Sequence, residues 1–299
     1  MVLYVPPASP LASGSLGWTW IDPDGNEHDL THETSPLLHV SRGSAGLGMP
    51  PVELVTEKLP TMPGGLVRYA QTRPLEINLP IQVRGTTFAD LLGRVELLRS
   101  WFGTSSETSR TPGYLRVTRP QDDTQRQLAC FYTGGLEGDL NDGGPTWAPL
   151  VVSLLAPDPY WTSVNDEEVV YGQSDIGTTL AVINSGDFDA YPVWTISGPA
   201  SAITVTNLTT SKAFALTDNG GLSLAAASQL IVDTRPTSQR TDPQILHDGD
   251  SAVFDRLTPS SELWWLQPGQ NNFTVAASGA TGSTSVSLSW LPRYRGVLR

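Results

Sequence analysis

The clearest candidate for cation chemistry is a set of oxygen-bearing side chains near the start of the chain: Asp22, Asp24, Asn26 and Glu33. They have the spacing of ligands in a calcium-binding EF-hand loop, which uses carboxylate and amide oxygens. The position where that loop needs glycine for its sharp turn is occupied by Glu27, and the flanks have strand and loop character. We therefore interpret DPDG, residues 22–25, as the turn of a β-hairpin, and we expect no metal.

Other reactive side chains lack the arrangement that their chemistry needs. His28, His32 and Glu33 could suggest zinc, but on a strand residues four apart need not converge on one ion. Cys130 lies in an alternating strand, which favours a packed small side chain over a nucleophile. The sequence contains neither a Gly-x-Ser-x-Gly elbow nor a Walker phosphate loop. We expect a protein that is not an enzyme and that holds no cofactor.

A sugar platform is the remaining candidate site. The segment ELWWLQPGQNNF places Trp264 and Trp265 side by side, followed by the amides of Asn271 and Asn272. Adjacent residues of a strand point to opposite faces, so at most one of the two indoles is buried and the other is free for glycan contact. Core packing of the indoles with a turn at Pro268 is the competing interpretation. Trp264 and Trp265 are therefore the predicted glycan contacts, with both alternatives open.

Composition favours short strands and excludes several classes of protein. The chain has 299 residues, of which 28 are Gly and 24 are Pro, enough for two domains rich in turns. Its net charge is −12, shared evenly by the two halves, and it has no basic cluster of the kind that holds nucleic acid. The longest apolar stretch, around residues 150–156, is too short for a membrane span, so we expect no membrane insertion.

The elements that would position these residues differ between the halves. In the first half, PLEINLPIQVRG alternates as a half-buried strand, and residues 87–102 have the apolar spacing of one amphipathic helix. Residues 43–66, rich in Gly and Pro, indicate a long loop or arm. After the acid flanked by prolines at Asp158, strands recur at short intervals between turns such as DNGG, which is typical of a β-sandwich or barrel. We place the domain boundary between residues 163 and 164.

The order of these motifs resembles the distal tail protein family of long-tailed, non-contractile bacteriophages, the siphovirus-type tail component. The first half matches in WTWIDPDG, RPLEINLPIQVRG, the helix with LLRSWF, RQLACFYTGGLEG and TWAPLVVSLLAPDPYW. The second half matches in LIVDTRP, SELWWLQPGQNNF and VSLSWLPRYRG. Each motif is weakly specific alone, whereas their order along nearly the whole chain is more specific.

The resemblance implies an all-β protein with one inserted helix: an N-terminal β-barrel-like domain, 1–163, and a C-terminal galectin-like β-sandwich, 164–299. It also implies a structural virion protein, the hub of a distal tail or baseplate. Six copies would form a ring joining the tail tube to the adhesion apparatus, with DNA passing through the centre without specific binding. Expected partners are the tail tube, tape-measure and tail-tip adhesion proteins, with assembly in the host bacterial cytoplasm. The alternative is a carbohydrate- or receptor-binding tail protein that grips the host surface through its C-terminal sandwich.

Overall fold

The computed structural model describes residues 15–58, 63–103, 111–137, 143–217, 220–236, 239, 244–248 and 251–297. They form two compact units: unit 1 contains the described residues up to Val164 and those after Tyr294, and unit 2 is Asn165–Tyr294. Within these described ranges, no helix has the length and apolar character needed to cross a membrane.

Unit 1 is a sheet of antiparallel strands with a separate hairpin. The strands are β1 Gly17–Ile21, β2 Glu27–Asp29, β3 Leu38–Val40, β4 Val52–Glu57, β5 Leu66–Thr72, β6 Leu75–Arg84, β7 Gly113–Thr118, β8 Gln125–Gly134, β9 Trp147–Ala156 and β10 Trp161–Ser163. The sheet has the order β2-β1-β7-β8-β9-β6-β3, and β10 pairs with the start of β8, while β4 and β5 pair with each other.

The core of unit 1 follows the alternation of β6. Its odd-numbered positions from Leu75 to Val83 are buried, as predicted for a half-buried strand. β6 pairs along its whole length with β9, so that Leu75 faces Ala156 and Arg84 faces Trp147. The remaining large core side chains include Trp20, whose ring lies where a Cβ at Gly113 would overlap it. Glycine at position 113 is therefore required by the indole packed against the backbone.

The helix α1 spans Phe88–Gly103, close to the predicted 87–102. Its buried residues are Leu91, Val95, Leu98 and Phe102, a spacing of four, three and four that forms one apolar stripe. The N-terminus is capped by two hydrogen bonds: the Asp90 backbone N–H donates to Thr87 Oγ1 at 3.2 Å, and Asp90 Oδ2 accepts the Thr86 N–H at 2.8 Å. The first bond is the N-cap half of a capping box and satisfies an amide group that the helix leaves free, whereas the second ties down Thr86, the residue before the N-cap.

Residues 295–297, the last that the structure describes, belong to unit 1. Val297 is fully buried and its N–H donates to the Leu47 carbonyl at 3.0 Å. The buried guanidinium of Arg126 donates to the carbonyls of Gly296 and Val297. These contacts place the described residues after Tyr294 with unit 1, whereas the sequence placed the whole segment from 164 to 299 in the second domain.

Unit 2 is a β-sandwich of two antiparallel sheets. Their strands are β11 Glu167–Gly172, β12 Thr179–Asn184, β13 Val193–Ser197, β14 Ala200–Asn207, β15 Lys212–Leu216, β16 Ser223–Leu224, β17 Gln229–Asp233, β18 Ile245–His247, β19 Ser251–Ala252, β20 Gly269–Ser278 and β21 Ser285–Trp290. One sheet has the order β11-β21-β13-β17-β18-β19 and the other β12-β20-β14-β15, with β16 beside β14. The short strand β22, Arg293–Tyr294, lies in unit 2 but in neither sheet.

An aromatic cluster fills the centre of this sandwich. Trp194 lies edge-on to Trp264 and to Phe273, each with ring centroids 5.2 Å apart, and Phe214 completes the group at 6.2 Å. Edge-to-face rings at these distances are the favoured geometry of buried aromatic side chains. The all-β class with one helix is therefore confirmed in the described residues, as is the sandwich architecture of the second half.

Candidate functional site

Among the residues with EF-hand spacing near the start of the chain, Asp22 holds a turn, as expected for a hairpin. Asp22 Oδ1 accepts the backbone N–H groups of Asp24 at 3.0 Å and Asn26 at 2.9 Å, and Oδ2 lies 3.0 Å from His28 Nε2. Burial raises the pKa of the Asp22 carboxyl, but the bonds from His28, Asn26 and Asp24 together outweigh burial and lower it. Glu33 instead accepts a bond from Ser15. The carboxylate of Asp22 thus stabilises the β1–β2 hairpin.

The three candidate zinc ligands are not brought together. The His28 ring stacks on Trp101 with centroids 4.3 Å apart, whereas the His32 ring meets His39 edge-on at 4.5 Å. Burial, followed by the charge of His32, lowers the pKa of His39. In the part of the chain that the structure describes, no group of three or more His, Cys, Asp or Glu side chains is placed to hold a metal ion.

Cys130 is a core residue of β8. Its side chain is fully buried, and burial raises the pKa of the thiol to about 12. A thiol with so high a pKa is protonated at neutral pH and is a poor nucleophile. The side chain therefore acts as a small apolar group between the strands.

The two predicted glycan contacts have different surroundings. Trp264 is 1% exposed and belongs to the aromatic cluster of unit 2, so it cannot reach a sugar while the sandwich is folded. Trp265 is half-buried, and the Lys212 ammonium lies 4.5 Å from the centre of its ring. Lys212 also forms an ion pair with Glu262 at 3.0 Å. Only Trp265 therefore remains as a proposed glycan contact, and Lys212 covers one face of its ring.

The amides beside the two indoles are used within the fold. Asn271 is fully buried, accepts the Gln267 N–H at 2.9 Å and donates to the carbonyls of Gln267 and Gly269. These bonds close the turn before β20, so Asn271 is a structural residue. Asn272 Oδ1 accepts from the neighbouring Gln270 side chain at 3.0 Å.

The most unusual surface of unit 1 is the β4–β5 hairpin, which forms a two-stranded sheet of its own. Val52 pairs with Thr72 and Leu54 with Ala70, and an irregularity before Thr56 leaves Arg68 as the extra residue of β5. At the base, the Thr72 hydroxyl lies 3.2 Å from the Tyr160 hydroxyl. A free two-stranded hairpin is marginal in water and ordinarily needs a further surface to pack on.

The register gives the hairpin two faces that differ in charge, although both carry exposed apolar side chains: Leu66, 47% exposed, and Tyr69, 55% exposed, lie on the charged face. One face, which we call the uncharged face, consists of Val52, Leu54, Thr56, Val67, Ala70 and Thr72. Its large side chains are exposed: Val52 by 55%, Leu54 by 57% and Val67 by 50%. On the opposite face Arg73 makes a two-point contact with Glu53 at 2.9 and 3.0 Å, and Arg68 pairs with Glu57. The charges are thus paired with each other on one side of the hairpin.

Sequence reasoning missed this hairpin because it gave most weight to the glycines and prolines of 43–66. The signal was present in the alternation of VELVTE and in the LVRYAQT run that follows a Pro-Gly-Gly turn. Residues 59–62 of the predicted arm lie outside the described residues.

Comparison with known proteins gives this architecture its class. Residues 185–294, within unit 2, match the family described as "Siphovirus-type tail component, C-terminal domain". Over these residues unit 2 is similar to that family of tail components, which bears out the resemblance to the distal tail protein family. No curated protein sequence gives a significant match.

Solved structures extend the likeness to both units. The Dit protein of phage SPP1, described as a paradigm of the hub adsorption apparatus in phages infecting Gram-positive bacteria, has a TM-score of 0.67 at 16% identity. That match covers 93% of this chain and 99% of the Dit chain. Chains of the phage p2 baseplate, activated with strontium or calcium, have TM-scores of 0.51 and 0.52 at 7% and 8% identity. Each covers 95% of this chain and all of the baseplate chain. At these identities the likeness shows a shared fold.

Proposed function

We propose that this protein is the structural hub of a phage tail tip and that it assembles as a homo-hexameric ring. The family of unit 2 and the Dit-like fold of the chain support a place in the distal tail or baseplate. The observation that carries the self-assembly is the uncharged face of the β4–β5 hairpin, where Val52, Leu54 and Val67 are each at least half exposed. An apolar face on an isolated hairpin has a physical reason to exist when another molecule covers it.

A ring requires each copy to offer two different surfaces, because contacts between unlike surfaces close into a ring when the rotation is right. The hairpin would be one of these surfaces, donated in the same sense by every copy. In the proposed virion the ring joins the tail tube to the adhesion apparatus, with tape-measure and tail-tip proteins as neighbours and assembly in the host cytoplasm. The role is one of architecture and not of catalysis.

DNA would pass through the centre of the ring without binding. The net charge of −12 supports this proposal, since an acidic lining repels phosphate and offers no cationic groups to exchange for counterions.

The mass of the purified chain tests the proposal. We expect six-fold rings by light scattering and negative-stain microscopy. Leu54→Asp should shift the particle to monomers, because docking would bury its carboxylate without a partner. Gln71→Asp is the matched control, since it adds the same charge to the exposed charged face and should leave the ring intact. A wild-type chain that stays monomeric at high concentration and is absent from purified virions would contradict the proposal.

The alternative function, binding of host-surface sugar by unit 2, now depends on Trp265. Its indole is half-buried and one ring face is occupied by Lys212, so a sugar would have to use the other face or displace the ammonium. This arrangement gives the sandwich less aromatic surface for sugar than two free indoles would.

A further inference from the structure

A second exposed apolar surface of unit 1 lies on the outside of strands β6 and β9. Every second residue of β9 points outward, and these are Trp147, Pro149, Val151, Ser153 and Leu155. Trp147 is 43% exposed and Val151 is 49% exposed. The facing residues of β6 across the middle of this surface are Asn78, Pro80 and Gln82. We call this surface the β6–β9 outer face.

This surface departs from what a solvated sheet face requires. Antiparallel strands with one face in water alternate between apolar and polar residues, whereas strands buried on both faces are near-continuous apolar runs. WAPLVVSLLA of β9 is such a run, although half of its residues face outward. Ser153, its polar outward residue, already donates to Asn78 Oδ1 at 2.9 Å. The sequence of β9 is that of a strand covered on both sides.

Charged residues lie only at the two ends of the β6–β9 outer face. Glu76 faces Leu155 at one end and Arg84 faces Trp147 at the other. The uncharged face of the hairpin matches this distribution, because the four charged side chains of the two ion pairs lie on the opposite side of the hairpin. Packing the hairpin on the middle of the β6–β9 outer face would therefore take no charged group out of water. Desolvation of charged groups is the main penalty that polar surfaces impose on association.

We propose that the β6–β9 outer face is the surface that receives the uncharged face of the β4–β5 hairpin from a second copy of this chain. This inference rests on the homo-oligomeric ring proposed above and names its interface. Two sheets pack face to face about 10 Å apart when their apolar side chains interdigitate. The six residues of β4 extend over about 20 Å, which is shorter than the ten-residue β9 that would receive them.

A second copy is the occupant because the two faces complete each other. Each copy carries one uncovered hairpin face and one uncovered sheet face, so mutual docking in one rotational sense covers both in a closed ring. The outer side of helix α1 is a poorer receiver. Its exposed Leu92 and Leu97 are interrupted by Glu96, whose carboxylate would be buried without a partner.

Cysteine cross-linking can distinguish the two receivers, because native Cys130 is buried and protonated and will not react. The variant with Leu54→Cys and Val151→Cys should give, on mild oxidation, a ladder of disulfide-linked species up to the hexamer on denaturing gels. Leu54→Cys with Leu97→Cys should stay monomeric on the same gels, as should each single variant. The mass of each reduced variant is measured first by light scattering, so that cross-linking is compared only between variants that still form rings.

The outcomes separate this inference from the proposed function. A ring that cross-links through Leu97, or through neither position, overturns the β6–β9 receiver while the ring itself stands. A chain that forms no ring removes both proposals. As a second measurement, Val151→Asp should release monomers to the same extent as Leu54→Asp, whereas Gln125→Asp, an exposed polar position of β8, should not. Intact rings in Val151→Asp would also overturn the inference.

Discussion

Replacing Asp22 with alanine should open the β1–β2 turn, because one carboxylate holds four separate groups there. It accepts the backbone N–H groups of Asp24 and Asn26 and the Asn26 side-chain amide, and it contacts His28, whose ring in turn stacks on Trp101 near the end of α1. Each such bond contributes roughly 0.5–1.5 kcal/mol net, so Asp22→Ala should cost about 3 kcal/mol locally. That energy corresponds to an increase in the turn-opening equilibrium on the order of 100-fold.

Amide hydrogen exchange followed by mass spectrometry measures this opening directly. Peptides covering residues 17–31 should exchange on the order of 100-fold faster in Asp22→Ala, while peptides of β20 in unit 2 keep the wild-type rate. Asp24→Ala is the matched control in the same turn, since its side chain is exposed. Equal exchange rates in Asp22→Ala and Asp24→Ala would refute the role that we assign to the Asp22 carboxylate.

The same carboxylate should make the turn sensitive to acid. The hydrogen bonds lower the pKa of Asp22 below its ordinary value despite the opposing effect of burial, so its stabilising contribution is present above that ordinary value. The contribution should be lost as the pH falls through the lowered pKa of the folded state. The difference in exchange between wild type and Asp22→Ala should therefore shrink below about pH 4.

Two further predictions concern other residues that the sequence singled out. Cys130 should resist alkylation at pH 8 in the folded protein and react fully in urea, and ready alkylation of the native protein would contradict its burial. Cys130→Ser should lower the free energy of unfolding by about 1–3 kcal/mol, because it buries a hydroxyl group. On a glycan array and on host cell walls we expect no binding that depends on Trp265. Tyr191 of unit 2, whose ring lies 4.9 Å from the Arg293 guanidinium, provides an aromatic control. Binding that is lost in Trp265→Ala but kept in Tyr191→Phe would favour the sugar-binding alternative.

Local periodicity predicted the parts of the fold that bury one clear face. The helix and β6 were predicted because their apolar residues recur at periods that only one inward face can satisfy. The pair Trp264 and Trp265 was different. Strand alternation predicts that the two indoles point to opposite sides, but it does not predict which side is the core. Contact with Trp194, about seventy positions earlier, decides that Trp264 is inside. The stack of His28 on Trp101 likewise depends on packing across a long separation in sequence.

The two surfaces that the sequence did not reveal share one physical cause. Alternation rules assume that the exposed side of a strand faces water, and they fail where that side faces another protein. In β4 and β5 the outward Leu54 and Val67 follow the pattern of a buried sheet, and in β9 the outward Trp147 and Val151 do the same. These residues contribute little to the folding of one copy, so the single chain gives no reason for them. If the two faces cover each other between copies, the apolar pattern of each is explained by burial in the ring, and its free energy stabilises the assembly.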